Sequence, residues 1–154
     1  MTPYADTNFY TRIYLQLPES DQADRLLRNA EQSQAPPLPV TWLHRVELLN
    51  AFQLHVFQAR DARQSSISAR QAGLAYGNFR DDLQQSKFLR SVAIPDVDLE
   101  KQFEELSLRR TARHGFRTYD LLHVASALVL GCDTFWSFDG KATHLAKLEG
   151  LKVR

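Results

Sequence analysis

The sequence predicts an α/β fold with a mainly parallel sheet. Short apolar segments of strand-like composition alternate with longer segments whose apolar residues recur at helical spacing. The strand-like segments lie too far apart for hairpins, so they connect through helical crossovers. Prolines, glycines and N-capping residues fall at the joins. At 154 residues the chain suits one domain spanning 1–154, and no repeat or low-complexity tract divides it.

The elements follow in order. Pro3–Asp6 is a short first strand. Phe9, Ile13 and Leu17 recur at i, i+4, i+8 and define a first helix closed by Pro18. Glu19-Ser20-Asp21 starts a second, carrying Leu26 and Leu27. The prolines of 35–39 end it and lead into a strand over Leu38–Thr41. Thr41 is a good N-cap for a third helix from Trp42 to Gln58, with Trp42, Val46, Leu49 and Phe52 offered to the core. Residues 65–85 read as one long helix or two broken at Gly77-Asn78. Phe88–Ile94 is a strand ended by Pro95. A helix then runs to His114 with Gly115 just past its end; its acids come early and its arginines late, matching the helix dipole. Thr118 caps the next helix. Leu121, Leu122, Val124, Ala125, Leu128 and Val129 make it apolar all round, hence buried. A strand over Asp133–Asp139, a helix over Gly140–Gly150 and a strand over Leu151–Val153 complete the chain.

Apolar residues at 44% and charged residues at 24% are ordinary for a globular protein. No apolar run approaches the ~20 residues of a membrane span. The N-terminus lacks the basic and apolar regions of a signal peptide. Cys132 is the one cysteine, and no Cys/His cluster has zinc spacing. These features point to the cytoplasm. The net charge of +1 is uninformative, but Arg109, Arg110, Arg113, His114 and Arg117 fall within nine residues with no acid among them, a local positive patch.

Four acids draw attention. Asp6 ends the first strand, where ligands gather in parallel sheets, although helix N-capping explains it equally. Glu47 interrupts a largely apolar helical surface shared with Leu43, Asn50, Ala51 and Leu54, where an unpaired charge is costly. Pairing with Arg45, which points about 160° away on that helix, and a place on a polar helix side are the alternatives. Asp120 stands in the first turn of its helix, favourable for the dipole. Asp139 precedes Gly140 in ordinary turn chemistry. His44, His55 and His144 read as surface residues, and His123 as a packed one bonding to backbone. Cys132 is expected to be buried beside the last strand.

The stretch Arg117-Thr-Tyr-Asp120-Leu-Leu-His123-Val-Ala125-Ser-Ala127-Leu-Val-Leu-Gly131-Cys-Asp-Thr-Phe135-Trp-Ser137-Phe-Asp139 resembles the C-terminal signature of PIN domains. That signature is an aspartate, a histidine three residues on, small residues on one helix face, a glycine, and a strand ending in Thr/Ser-x-Asp. Asp6-Thr7-Asn8 is similar to the family's first motif, and Val46-Glu47-Leu48 falls where the family places its glutamate. Leu145–Val153 is similar to the family's ending. Met1–Ala5 is less apolar than the usual first strand, which suggests a short or frayed edge, and residues 64–90 carry no family motif.

The resemblance implies a three-layer α/β/α sandwich and a Mg²⁺- or Mn²⁺-dependent ribonuclease of VapC toxin type, with Asp6, Glu47, Asp120 and Asp139 as metal-holding catalytic acids. It implies products with 5′-phosphate and 3′-hydroxyl ends. Asn8 and Ser137 would support the site from behind, and Arg109, Arg110, Arg113 and Arg117 would grip RNA phosphates. It further implies an antitoxin partner and a homodimer using Phe9, Tyr10, Tyr14, Phe52 and Phe57. Two rivals stand beside this reading: a PIN-fold protein that binds RNA or a partner without cutting, and a phosphatase-like or receiver-like domain using Asp6 alone.

Overall fold

The computed structural model describes residues 1–60 and 67–154. Its elements are β1 (Pro3–Ala5), α1 (Thr7–Tyr14), α2 (Ser20–Gln32), β2 (Leu38–Val40), α3 (Trp42–Arg60), α4 (Ala69–Gln85), β3 (Leu89–Ser91), α5 (Asp96–Leu106), a π-helical turn (Ser107–Thr111), α6 (Ala112–His114), α7 (Thr118–Val129), β4 (Thr134–Trp136), α8 (Gly140–Leu148) and β5 (Lys152–Val153). The α/β class is as expected, and every strand pairing among the described residues is parallel. The chain forms two compact units, residues 1–6 with 93–154 and residues 7–92.

The first unit is built on a three-stranded sheet in the order β1-β4-β5. Pro3, Tyr4 and Ala5 lie opposite Thr134, Phe135 and Trp136, and the Asp6 N–H continues the ladder to the Trp136 carbonyl at 3.1 Å. Tyr4 and Ala5 are fully buried and the Tyr4 ring stacks on Phe135, so β1 is short but not frayed. As its composition foretold, α7 is largely buried from Asp120 onward, packing against α5 and α8, although Thr118 and Tyr119 in its first turn are exposed. Leu121, Val124, Ala125, Phe135, Leu145 and Cys132 share one apolar core, and each large side chain there contributes about 1.5–3 kcal/mol by burial. Gly115 at φ 66 ends the α5–α6 run in the left-handed region, the position its sequence context indicated.

The second unit pairs β2 with β3 and packs α1 against α2, α3 and α4. Two expectations change here, and an open alternative is decided. The α4 helix runs unbroken through Gly77-Asn78, because a helical glycine costs only about 1 kcal/mol and Ala72, Ala75 and Phe79 anchor one face. Ser68 caps it, with the Gln71 side chain returning a bond to the Ser68 N–H; Ser65 lies outside the described residues. On α3, Leu43, Leu48 and Phe52 face the core while Trp42, Val46 and Leu49 are exposed. This helix is apolar around its whole circumference, so spacing alone does not choose a side. His44 is fully buried rather than on the surface. Its Nδ1 accepts the Thr41 N–H at 3.0 Å, as a glutamate does in a capping box.

Candidate active site

Three of the four acids lie in the first unit, Asp6 and Asp139 after the paired strands β1 and β4 and Asp120 at the start of α7. Asp6 directly follows β1 and is buried. Asp139 stands three residues past the end of β4, where its Oδ1 caps α8 by accepting the N–H groups of Lys141 (2.8 Å) and Ala142 (3.3 Å). Ser137 Oγ accepts the Asp139 N–H at 2.9 Å and so fixes the loop that carries this acid. Asp120 is buried in the first turn of α7, its Oδ2 accepting the Arg117 N–H at 3.0 Å. The cap of this helix is therefore built from Asp120 reaching back, not from Thr118.

Arg117 joins two of these acids. Its Nε and Nη2 donate to Asp120 Oδ2 and Oδ1 at 3.0 and 2.9 Å, a two-pronged pair. The same Nη2 donates to Asp139 Oδ2 at 2.6 Å. Burial alone would raise the Asp139 carboxyl, but the bonds from Arg117, Lys141 and Ala142 hold it below its ordinary value. Hydrogen bonds to Asp120 and then Asp139 raise the pKa of Arg117 further above the usual guanidinium range. The bridging role of Arg117 was missed in the sequence, although an arginine three residues before an acid at a helix start is a legible signal.

His123, one turn beyond Asp120, is buried, with Nδ1 2.9 Å from the Tyr4 hydroxyl. One partner is thus a side chain of β1, and the bond ties α7 to the strand that Asp6 follows. Glu47 belongs to the second unit. It is half-buried on α3 and accepts from Thr7 Oγ1 at 2.6 Å, while Arg45 reaches Ser91 Oγ at 3.4 Å. Asn8 lies on α1, its carbonyl accepting from Thr11 Oγ1.

In the basic segment, Arg109 and Arg110 both bind Glu149, at 2.9 and 2.8 Å, and Arg113 is exposed. His144 is exposed, as expected, and its ring meets that of His114 edge-on.

Among the described residues, no three His, Cys, Asp or Glu side chains stand close enough to ligate one ion by themselves. The Asp120–Asp139 pair nevertheless suits a hard divalent cation. Both offer oxygen, both already share one cationic nitrogen, and Mg²⁺ usually takes one or two carboxylates and keeps its waters. No described helix is long and apolar enough to cross a membrane.

No family model and no curated protein matches the sequence. Solved structures do match. VapC20 of Mycobacterium tuberculosis, a sarcin–ricin loop cleaving toxin, aligns at TM-score 0.62 and 19% identity, over 93% of this chain and 94% of that one. A chain of VapBC2 from Rickettsia felis, in a complex bound to a fragment of its promoter DNA, aligns at TM-score 0.68 and 13% identity, over 100% and 98%. The chain has a VapC-like PIN fold. FitAcB from Neisseria gonorrhoeae gives the same PIN fold at TM-score 0.62 and 13% identity, over 99% and 96%. At these identities the likeness is one of fold, and the chemistry has to be argued from the residues.

Proposed function

We propose that the chain is a Mg²⁺- or Mn²⁺-dependent endoribonuclease acting as one domain, the toxin of a type II toxin–antitoxin pair. The observation that carries this reading is the sharing of one cationic nitrogen by Asp120 and Asp139, in the unit that also holds Asp6 after β1. Asp6, Asp120 and Asp139 supply negative charge on rigid elements, and Glu47 is assigned as the fourth acid. Support for Glu47 is its bond to Thr7, the residue that follows Asp6 in the chain. A bound divalent ion would polarise the phosphodiester and activate a water at neutral pH.

The chain's own residues do the rest. Ser137 and the α8 N-terminus hold Asp139 in place. The Arg117 N–H and the Tyr4–His123 bond position Asp120 on α7. Asn8 is assigned a supporting role beside Asp6. Arg109, Arg110, Arg113 and Arg117 are assigned to RNA phosphates. The likeness in fold to VapC20, a sarcin–ricin loop cleaving toxin, favours this chemistry over the two rivals.

An antitoxin and a second copy of the chain are the proposed protein partners. The VapBC2 neighbour favours the antitoxin. Of the early aromatics, Phe9, Tyr10 and Phe52 are buried in the structure, whereas Phe57 is exposed on α3 with Trp42, Val46 and Leu49. That helix is assigned as the dimer surface.

Cleavage by single variants tests the site. Asp6→Asn, Asp120→Asn and Glu47→Gln should each lower the Mn²⁺-supported rate at least about 100-fold with unchanged circular dichroism. A Glu47→Gln enzyme of wild-type rate would remove Glu47 alone; unchanged Asp120→Asn activity would remove the whole proposal.

A further inference from the structure

We propose that Arg117 is an internal competitor for the divalent cation: guanidinium and ion are alternative occupants of the Asp120–Asp139 pair, and the ion binds by displacing Arg117 toward solvent. This rests on the nuclease reading above and concerns how its site is regulated.

The geometry leaves room for one cation. Nη2 of Arg117 stands 2.9 Å from Asp120 Oδ1 and 2.6 Å from Asp139 Oδ2. A divalent cation held by these two acids would need the oxygens that the nitrogen now occupies. Of the remaining oxygens, one caps a helix and the other is again held by Arg117. Asp139 Oδ1 caps α8, and Asp120 Oδ2 takes the Nε and backbone N–H of Arg117. A cation reaching both acids therefore has to take the oxygens that Arg117 holds.

The burial of the three side chains says which partner gives way. Asp120 is 5% exposed and Asp139 27%, each pinned to a helix start, whereas Arg117 is 59% exposed. The arginine can withdraw into water without disturbing the core. It does not leave by deprotonation, since a guanidinium stays charged throughout the working pH range. While the acids stay charged, a competing cation is what releases it. Once released, the planar fork stands at the edge of the site with donors suited to a phosphate. That reconciles its contact with the acids and its assignment to RNA.

Isothermal titration with Mn²⁺ alone tests the exchange, using the full chain and no RNA. Arg117→Ala should bind Mn²⁺ about tenfold more tightly than wild type, the size expected for losing a charge-assisted bond at a partly exposed site. Arg117→Lys keeps the charge but loses the two-pronged contact, and should fall between them. A purely structural role for Arg117 predicts the opposite, because disordered acids bind an ion less well. The backbone N–H bond to Asp120 survives in both variants, so the α7 cap persists; should the alanine variant fail to fold, the lysine variant decides. Mn²⁺ affinity equal to or weaker than wild type in the folded Arg117 variants, with Asp120→Asn abolishing binding, would overturn the competition and leave the metal site standing. Absence of Mn²⁺ binding in wild type and Arg117→Ala alike would overturn both.

Discussion

Each oxygen of Asp139 has its own task. Oδ1 satisfies two N–H groups at the start of α8, and Oδ2 faces the Arg117 guanidinium. The turn chemistry expected for Asp-Gly is in fact an N-cap, and the same carboxylate still offers an oxygen to a cation. Structural and catalytic readings of this residue are therefore compatible, and the same holds for Asp120. The lowered pKa of Asp139 makes a testable statement about acid stability. A carboxyl with a depressed folded pKa adds stability that is present above its unfolded value of about 3.9 and is lost as pH falls through the folded pKa. Asp139→Asn keeps a good N-cap but has nothing to protonate. Urea midpoints of wild type should fall more steeply than those of the variant as pH drops below 4. Parallel profiles would mean that Arg117 and the α8 cap do not favour the charged form.

At the scale of elements, the basic segment illustrates what sequence reading separates poorly. Four arginines without acids suggest a phosphate grip, yet the π-helical turn over Ser107–Thr111 brings Arg109 and Arg110 onto one carboxylate, Glu149, whose side chain is only 8% exposed. Glu149 is some forty residues away, so nothing local announced it. Removing both partners of a largely buried acid is costly, although the exposure of Arg109 reduces the loss. Arg109→Ala with Arg110→Ala should therefore destabilise the chain by about 1–3 kcal/mol in urea unfolding, whereas Arg113→Ala should stay within about 0.5 kcal/mol. Equal stability of both variants would remove the structural role of the pair. Loss of RNA affinity with a flatter salt dependence in Arg113→Ala would support the phosphate role proposed for this segment. Local rules succeeded where one face or one cap was dictated: the burial of α7, the Gly115 terminus and Thr41 before α3. They failed for α3 itself, because Trp42, Val46 and Leu49 form as good an apolar row as Leu43, Leu48 and Phe52.

For the whole molecule, the parallel α/β class and the PIN fold were legible because they depend on alternation, crossover length and the motif from Arg117 to Asp139, all of which survive in a single sequence. Strand limits were less so. The described strands are two or three residues long, shorter than the apolar runs that contain them, since their ends turn into loops that carry the acids. Motif singled out Asp6, Asp120 and Asp139 as candidates, but the Arg117 cation joining two of them was not legible, because a long side chain's direction is set by folded neighbours. A metal-dependent ribonuclease built on these acids stops cutting when its ion is removed. The most direct test incubates the purified chain with a structured RNA, first in excess chelator and then with Mn²⁺ restored, and reads fragments and their end groups. The account predicts no cutting in chelator, and on restoring Mn²⁺ cutting that leaves 5′-phosphate ends and is lost in Asp120→Asn. Cleavage that persists in chelator, or that Asp120→Asn performs at the wild-type rate, would contradict it.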